Sequence, residues 1–317
     1  MKLLIDTDTA SDDAVALVMA LRSPGVEVVA ITVVAGNVDL PKASRNARYT
    51  VELCGASVPV HEGAERPLLR EHRPATMFHG VDGLGDQGYP PPRTPPAPGH
   101  AVPAAIEAIR ANPGLTVVTL GPLTNLALVL ALAPDVVGKV GRCVVMGGAA
   151  CTVGNITPAA EYNVWCDPEA ARACFRSGLP IEMVGWELCR GAANLDEGDI
   201  AACRAIGTPL ARFAVDGNAS ALRANREMLG DPGIPLPDPV AMAIALDPAV
   251  GKRSGRHRVD VECEGTLTRG MTVVDQLGVV GTGSGESAGW PAGVPEVTVW
   301  WEIDVARFKE RLFRSLR

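Results

Sequence analysis

The sequence lacks the two features that would direct it to a membrane core or to nucleic acid. No apolar run reaches the roughly 20 residues that a transmembrane helix needs. There is also no basic block. Overall, 36 Asp and Glu residues outnumber 29 Lys and Arg residues and give a formal net charge of −7. A negative surface does not attract phosphate, so we expect neither nucleic acid nor an anionic membrane as a partner.

Paired cysteines and a secretion signal are absent as well. The eight cysteines contain no CxxC pair, and their spacing suggests neither a zinc site nor a disulfide framework. The first residues, MKLLIDTDTASDD, carry charge where a signal peptide needs an apolar core. We therefore expect reduced thiols and a cytoplasmic location.

What the sequence does contain is a cluster of acids near its start. Four aspartates lie within eight residues of the segment LLIDTDTASDDAVALVMAL: Asp6, Asp8, Asp12 and Asp13. The apolar residues 3–5 before them predict a buried strand, and the apolar periodicity of residues 14–21 after them predicts a helix. The acids thus lie in the turn between the end of a strand and the start of a helix.

Carboxylates this close raise one another's pKa unless a cation lies among them. A hard divalent ion with oxygen ligands, Ca²⁺ or Mg²⁺, fits such a cluster best. The alternative is helix capping, because Ser11 or Asp12 at a helix N-terminus binds free amides and favours the helix dipole. Capping accounts for one or two of the acids and not for four, so we favour a metal or catalytic role.

Strand-like and helix-like segments alternate along the chain. Runs rich in β-branched residues occupy 26–35, 115–120, 143–146 and 181–184. Helical patterns occupy 43–54, 104–111, 124–132 and 168–176, and a closing helix is predicted at 308–316. This order predicts an α/β fold in which helices flank a mainly parallel sheet, with residues 1–317 forming a single domain. The late strands, at 259–261, 272–275 and 297–303, are expected to form antiparallel edges.

In such sheets the ligand crevice lies beyond the carboxyl ends of the strands. The four acids belong there, and three glycine-containing segments also begin just after strands, at 36–37, 121–125 and 147–148. Glycine permits a close backbone approach or an unusual turn, so these segments predict one rim around one crevice. The proline-rich segment 86–103 is expected to form a loop or flap beside the crevice, and 208–231 a helical insertion.

The order of these motifs resembles the nucleoside hydrolase family, which includes the inosine-uridine-preferring ribohydrolases. The segment DTDTASDDAVAL matches that family's DxDxxxDDxxAL motif. The other matching blocks are AGN at 35–37, LGPLTN at 120–125, MGG at 146–148, GN at 154–155, EYN at 161–163, DPEA at 167–170, PDP at 237–239 and RGMTVVD at 269–275. The resemblance implies an open, Rossmann-like sheet and a Ca²⁺-dependent enzyme that hydrolyses ribonucleosides to free base and ribose.

The resemblance also implies which residues hold the ion. These would be Asp8, Asp13, Asp238 and the backbone carbonyl of Leu120. Asp8 would in addition take a proton from the water bound to the ion, and Asp6 would support the site. Judged without the resemblance, Asp238 is equally compatible with a helix start, because it lies between two prolines.

A second group of residues would bind the ribose. The resemblance assigns this role to Asp12, Asn155, Glu161 and Asn163, and it places Asn37 beside the metal-bound water and the sugar. Hydrolysis builds positive charge on the ribose ring, and an acidic site stabilises that charge. From the residues alone, Asn155 and Asn163 are also compatible with turn capping, and Glu161 with an ordinary surface acid.

The sequence departs from the family at the group that protonates the leaving base. Members that act on pyrimidines or on both base classes carry a histidine before the last metal aspartate, where this sequence has Pro237. Proline has no proton to give, so another group must activate the base. The candidates are His79, which is otherwise a turn histidine, Arg223 or Arg226 on the helical insertion, and Trp186 by stacking. For the arginines we favour a solvated helix face, and for Trp186 core packing. The base preference stays open.

Two other functions fit part of the pattern. A DxD motif after a strand also occurs in phosphohydrolases of the aspartyl-phosphate type, but no strand-end motif here contains the lysine which that class needs. A ribose-binding protein without catalysis would fit the loss of the histidine at position 237. The resemblance to nucleoside hydrolases implies a homodimer or homotetramer that acts on a small-molecule ribonucleoside.

Overall fold

The computed structural model describes residues 1–280, 290 and 293–317. Within them nine strands form one sheet: β1 Lys2–Thr7, β2 Glu27–Val33, β3 Val60–Glu62, β4 Thr116–Thr119, β5 Arg142–Met146, β6 Ile181–Val184, β7 Gly251–Val261, β8 Thr272–Val274 and β9 Glu296–Ile303.

The α-helices of the described residues surround this sheet: α1 Ser11–Leu21, α2 Leu40–Leu53, α3 Thr76–His79, α4 Ala101–Ala111, α5 Thr124–Leu132, α6 Tyr162–Cys166, α7 Pro168–Phe175, α8 Glu197–Ile206, α9 Pro209–Asp216, α10 Ala219–Ala224, α11 Pro237–Leu246 and α12 Val305–Ser315. Short 3-10 helices occupy Pro134–Lys139, Trp186–Cys189, Gly191–Ala193 and Pro248–Val250, and a π-helical turn occupies Asn225–Leu229.

The strand order is β3-β2-β1-β4-β5-β6-β9-β7-β8. Neighbouring strands from β3 to β9 pair in parallel, and β7 pairs antiparallel with both β9 and β8. The predicted α/β fold, mainly parallel with antiparallel edge strands, is confirmed. From β1 the chain builds outward first through β2 and β3 and then, on the other side, through β4, β5 and β6. The carboxyl end of β1 is therefore the topological switch point, where sheets of this class bind ligands.

Side chains of β1 alternate between two hydrophobic layers, one on each face of the sheet. Leu3 and Ile5 pack with the helices α1, α2, α11 and α12. Leu4 packs on the opposite face with α4, α5 and α7. Helix α1 is buried over nearly its whole length because it lies against both α2 and α11. No helix of the described residues is long and apolar enough to cross a membrane.

Strand β7 begins well before the predicted residues 259–261. Its first part, residues 251–258, is polar and at least partly exposed, so it has no apolar alternation by which a strand could be recognised. Backbone pairing with β9 holds this part in the sheet instead. The three-residue strand β3 was not predicted either, because it is too short for a periodic signal.

The proline-rich segment 86–103 was expected beside the crevice, but none of its residues lines the cavity, and residues 101–103 begin α4. The part of it before α4 lies against α2, where Arg45 donates to the carbonyl of Tyr89 (2.5 Å) and Arg48 to the carbonyl of Thr94 (2.8 Å). The rings of Tyr49 and Tyr89 stack with their centroids 5.2 Å apart. These contacts cover the outer surface of the helix, so the segment is a cover for α2 and not a flap.

Candidate active site

Two of the four clustered aspartates, Asp12 and Asp13, belong to the first turn of α1. Asp13 accepts hydrogen bonds from the Thr7 hydroxyl (2.6 Å) and from the Ala10 amide (2.9 Å). From the sequence, Ser11 or Asp12 was expected to cap the helix. In the structure Asp13 makes the capping contact. The carboxylate of Asp12 stays available for another role.

Asp8 lies in the loop just after β1 and is fully buried. Its Oδ2 accepts the amide of Asn37 at 2.5 Å. A methyl group on Gly36 would overlap with Oδ2, and one on Gly121 would lie 2.8 Å from Oδ1. These two glycines let the ends of β2 and β4 approach the carboxylate closely, which explains why glycine follows both strands.

Three buried carboxylates form a close acidic cluster. One oxygen each from Asp12, Asp13 and Asp238 lies within 4.8 Å of the others. Asp238 reaches the cluster from the first turn of α11. The sequence had assigned Asp8 to the metal and Asp12 to the ribose, whereas this group contains Asp12 and not Asp8. The three carboxylates are an oxygen donor set that could hold a hard metal ion.

Two further observations fit a cation at this place. Oδ1 of Asp8 and Oδ1 of Asp12 are buried without a hydrogen-bond partner among the described residues. An ionised oxygen in that situation is costly unless a cation or a proton satisfies it. The donor set and the unsatisfied oxygens therefore match a divalent ion bound by carboxylates.

Burial and mutual repulsion raise the pKa values of these acids. The pKa of Asp238 is well above its usual range because the group is buried and faces the charges of Asp13, Asp12 and Asp8. Burial, together with the charge of Asp13, does the same to the pKa of Asp8, and burial raises the pKa of Asp12 to about 6. A bound cation would offset this repulsion and favour the ionised forms.

Asp6 supports the cluster from within β1. Its Oδ1 accepts the Thr32 hydroxyl (2.5 Å) and the Asn125 side-chain amide (2.8 Å). Burial raises the pKa of Asp6 to about 7. The side chain connects β1 to β2 and α5 directly behind the switch point.

Glu161 is the N-cap of α6 and is also buried. Its two oxygens accept the amides of Asn163 (2.8 Å) and Gly148 (2.8 Å), and burial raises its pKa to about 7. The side chain of Asn163 donates to the carbonyl of Leu120 (2.8 Å), which brings that carbonyl next to residues that the resemblance assigns to the ribose. Asn155 accepts the amide of Tyr162 (2.9 Å). These residues form one hydrogen-bonded wall. A residue of this wall can therefore cap a turn and also face a ligand.

A cavity opens in front of this wall. The predicted residues that line it are Asp12, Asn37, His79, Leu120, Asn155, Glu161, Asn163 and Asp238. Asp8 and Asp13 are not among its lining residues and lie behind them. The structure thus brings all the predicted site residues to one place, with two of them one layer deeper.

The other part of the cavity wall is apolar, and the sequence did not identify most of it. It includes Phe78, Ile156, Tyr162, Ala221, Pro235 and Pro237. Phe78 and Tyr162 are neighbours of predicted site residues, so the motifs that contain them could have indicated that they line the cavity. Ala221 and Pro235 come from distant segments without any motif.

His79 lies at the end of α3, and its ring forms part of the cavity wall. Nδ1 is 2.9 Å from the Ser11 hydroxyl and 3.7 Å from Oδ1 of Asp12. Burial lowers the pKa of His79 to about 4, with the charge of Asp13 acting in the opposite direction. The imidazole is therefore neutral at pH 7.

The other candidates for activating the base are arranged differently. Trp186 is buried in the core and also lines the cavity. Arg223 donates to the Ser220 hydroxyl (3.3 Å), and Arg226 pairs with the exposed Glu197 (3.3 Å). Neither arginine is among the described residues that line the cavity, which agrees with the solvated helix face favoured from the sequence.

The segment that carries Asn155 is held at its start by three side chains from different elements. The consecutive amides of residues 148–150 donate to Glu161 (2.8 Å), to the Thr272 hydroxyl (2.9 Å) and to Glu187 (3.1 Å). Gly148 has φ of 81°, a conformation that favours glycine. This arrangement fixes the path by which the segment reaches the cavity.

Comparison with known proteins identifies the family. The family model described as inosine-uridine preferring nucleoside hydrolase matches residues 3–310. The chain belongs to the nucleoside hydrolase family. It is therefore an enzyme that hydrolyses the N-glycosyl bond of ribonucleosides.

Relatives of this nucleoside hydrolase carry different base preferences in their names. It is 38% identical over 320 residues to a pyrimidine-specific ribonucleoside hydrolase, RihA, of Salmonella agona, covering 100% of this chain and 98% of the relative. A plant nucleoside hydrolase, PpNRh1, has a TM-score of 0.93 at 32% identity, covering 99% of this chain and 98% of that one. A purine-preferring ribonucleoside hydrolase of Gardnerella vaginalis has a TM-score of 0.88 at 29% identity, covering 100% and 98%.

The contact between Gly36 and Asp8 generates a prediction for this hydrolase. In Gly36→Ala the added methyl group displaces the Asp8 carboxylate and weakens its bond to the Asn37 amide. We expect ribose release from nucleosides to fall by about 100-fold or more, and the free energy of unfolding to fall by about 1–3 kcal/mol through overpacking.

Gly138→Ala is the matched control, because a methyl group there meets no atom within 4 Å and no positive φ is involved. It should retain wild-type activity and stability. Full activity of Gly36→Ala, measured beside this control, would contradict the proposed packing of Asp8.

Proposed function

We propose that the protein is a Ca²⁺-dependent hydrolase of pyrimidine ribonucleosides. The observation that carries this proposal is the group of buried carboxylates at the switch point of the sheet, adjoining a cavity lined by the expected ribose-binding residues. The name of the Salmonella relative supports a pyrimidine substrate. The presence of His79 in the cavity wall supports it as well.

We assign Ca²⁺ to Asp8, Asp13, Asp238 and the carbonyl of Leu120. The nearness of Asp13 to Asp238 supports this set, and so does the unsatisfied Oδ1 of Asp8. When bound, Ca²⁺ would lower the pKa of a water molecule and orient the ribose diol. Oδ1 of Asp8 is the atom we assign to accept the proton of the attacking water, because Oδ2 already holds the Asn37 amide.

The ribose would be bound by Asp12, Asn37, Asn155, Glu161 and Asn163. Carboxylates accept hydrogen bonds from sugar hydroxyls, and side-chain amides both donate and accept, so the set matches a diol with mixed requirements. The same acids stabilise the positive charge that develops on the sugar as the bond breaks. A deoxyribose would leave buried polar groups unpaired and should react poorly.

The base would lie against the apolar part of the cavity, near Phe78, Ile156 and Trp186. Pro237 begins α11 at the point where a histidine was expected and offers no proton. His79 is the remaining imidazole in the cavity wall, so we assign it to hydrogen-bond the leaving base. Being neutral at pH 7, it would act as a donor and not as a positively charged acid.

The alternative functions have less support. The described residues that line the cavity include no lysine, which a phosphohydrolase of the aspartyl-phosphate type needs. A binding protein without catalysis rests on Pro237 alone, and His79 offers a substitute for the missing histidine.

We also infer a cytoplasmic homodimer or homotetramer. All eight cysteines are free thiols, which suits a reducing compartment. Leu69, Leu267 and Leu277 are 77%, 84% and 87% exposed and would be available for contacts between subunits. Light scattering after gel filtration should therefore give two or four times the chain mass of 33.1 kDa; the mass of one chain would contradict this inference.

A panel of ribonucleosides, assayed for free ribose with and without a chelator, tests the proposed reaction. We expect uridine and cytidine to be cleaved faster than inosine and adenosine, and 2′-deoxyuridine to be cleaved poorly. EGTA should abolish the activity, and added Ca²⁺ should restore it. Full activity after exhaustive chelation would contradict the metal, and phosphate release from a phosphomonoester would favour the phosphohydrolase.

His79→Ala tests the group assigned to the leaving base. We expect its kcat with uridine to fall by about 100-fold, because a leaving pyrimidine needs a hydrogen-bond or proton donor. Cleavage of 4-nitrophenyl riboside should fall far less, because nitrophenolate leaves without such help. Arg226→Ala is the control and should change neither rate, since that side chain pairs with the exposed Glu197. An equal loss with both substrates would contradict the assignment.

A further inference from the structure

Ser11 belongs to the first sequence motif, but we have assigned it to neither the metal site nor the ribose site. It is the first residue of α1 and is only 2% exposed. Its hydroxyl lies 2.9 Å from Nδ1 of His79, a residue 68 positions away. The Asn218 side chain donates to the Ser11 carbonyl (3.2 Å) and so helps to hold the backbone of the serine in place.

The direction of the bond between Ser11 and His79 follows from the surroundings of the hydroxyl. In the described part of the chain, Nδ1 is the single hydrogen-bond partner of this Oγ. If Oγ accepted a proton from Nδ1, its own buried proton would have no acceptor, at a cost of about 1–3 kcal/mol. If Oγ donates to Nδ1, both groups are satisfied. The nearest oxygen of Asp12 is 3.7 Å from Nδ1, too far for a hydrogen bond.

A serine that donates to Nδ1 decides where the proton of a neutral imidazole resides. The proton must then be on Nε2. This nitrogen has no hydrogen bond among the described residues and is not one of the fully buried unpartnered atoms, so it is accessible from the cavity that the ring lines. The imidazole thus presents a donor to whatever occupies the cavity.

We propose that Ser11 is a positioning residue that keeps His79 in the Nε2–H tautomer, so that the leaving base receives a hydrogen bond from Nε2. The inference rests on the proposed function and extends it to a substrate class. That class is ribosides whose base carries a carbonyl oxygen beside the nitrogen bound to the sugar. Uracil and cytosine share this oxygen, O2, so we expect the two nucleosides to differ little in rate.

The reaction balances with this arrangement. The bond between C1′ and N1 of the base breaks, and its electron pair is shared between N1 and O2, where Nε2–H donates a hydrogen bond. The oxygen of water forms the new bond to C1′, and its proton passes to Asp8. The base leaves as an anion that Nε2–H stabilises at O2, and it takes a proton from solvent; Asp8 releases the proton of the water to solvent, and His79 keeps its own proton throughout.

The kinetic test compares Ser11→Ala and Ser11→Thr with two substrates. Without the hydroxyl, the proton of His79 can occupy either ring nitrogen and the ring can rotate. We therefore expect kcat of Ser11→Ala with uridine to fall by about 10- to 100-fold with little change in KM. With 4-nitrophenyl riboside the fall should be about twofold at most. Ser11→Thr keeps a hydroxyl and should recover most of the uridine activity. Ser44→Ala, a buried serine of α2 outside the cavity wall, is the matched control.

Nitrogen NMR of the imidazole rings supplies a second readout that a purely structural role would not change. The chain has five histidines, and His79→Gln identifies the signal of interest. We expect Nε2–H in the wild-type protein and a mixture of tautomers in Ser11→Ala. A wild-type His79 that carries its proton on Nδ1 would overturn the inference, even if Ser11→Ala fails to fold.

The outcomes separate this inference from the proposed function. If the wild-type enzyme cleaves neither uridine nor nitrophenyl riboside, the proposed function fails. If the wild type is active but Ser11→Ala loses activity equally with both substrates, only the role of Ser11 fails. A selective loss with uridine, recovered by Ser11→Thr, supports both.

Discussion

Repulsion between buried carboxylates is the constraint on which this structure depends. Asp8, Asp12, Asp13 and Asp238 come from the loop after β1, from α1 and from α11 to one region at the switch point of the sheet. Isolated from water, they raise one another's pKa and leave oxygens without partners. Only a cation or protons relieve that repulsion. The close glycines, the hydrogen bonds to Asp13 and the support from Asp6 hold the acids in place despite this repulsion.

The cavity combines two environments that suit the two parts of a nucleoside. One wall carries acids and amides, which match a sugar that becomes positively charged during the reaction. Among the described residues the other wall is mainly apolar and carries the imidazole of His79, which matches a flat base that must leave. Pro237 occupies the position of the expected histidine. The proposed hydrogen bond to the leaving base therefore depends on His79, whereas a site with two imidazoles would have a second donor.

Local sequence patterns were sufficient to predict the mainly parallel sheet, several of the flanking helices and the acidic turn, but not α11, which carries Asp238. They failed where side-chain periodicity is absent, as in the polar first part of β7, and where only tertiary contacts decide, as in the docking of residues 86–103 on α2. The grouping of Asp12 with Asp13 and Asp238 depends on how α1 and α11 pack. The contact between Ser11 and His79 joins residues too far apart in the chain for spacing to indicate it.

The three consecutive amides of residues 148–150 make one loop dependent on segments that are far apart in the gene. Glu161, Glu187 and Thr272 each bind one of these amides, and they come from the N-cap of α6, the 3-10 helix after β6 and strand β8. Recombination between homologues would separate the loop from the side chains that hold it in this structure. A chimeric protein built from two members of the family should therefore inherit all four segments from the same parent.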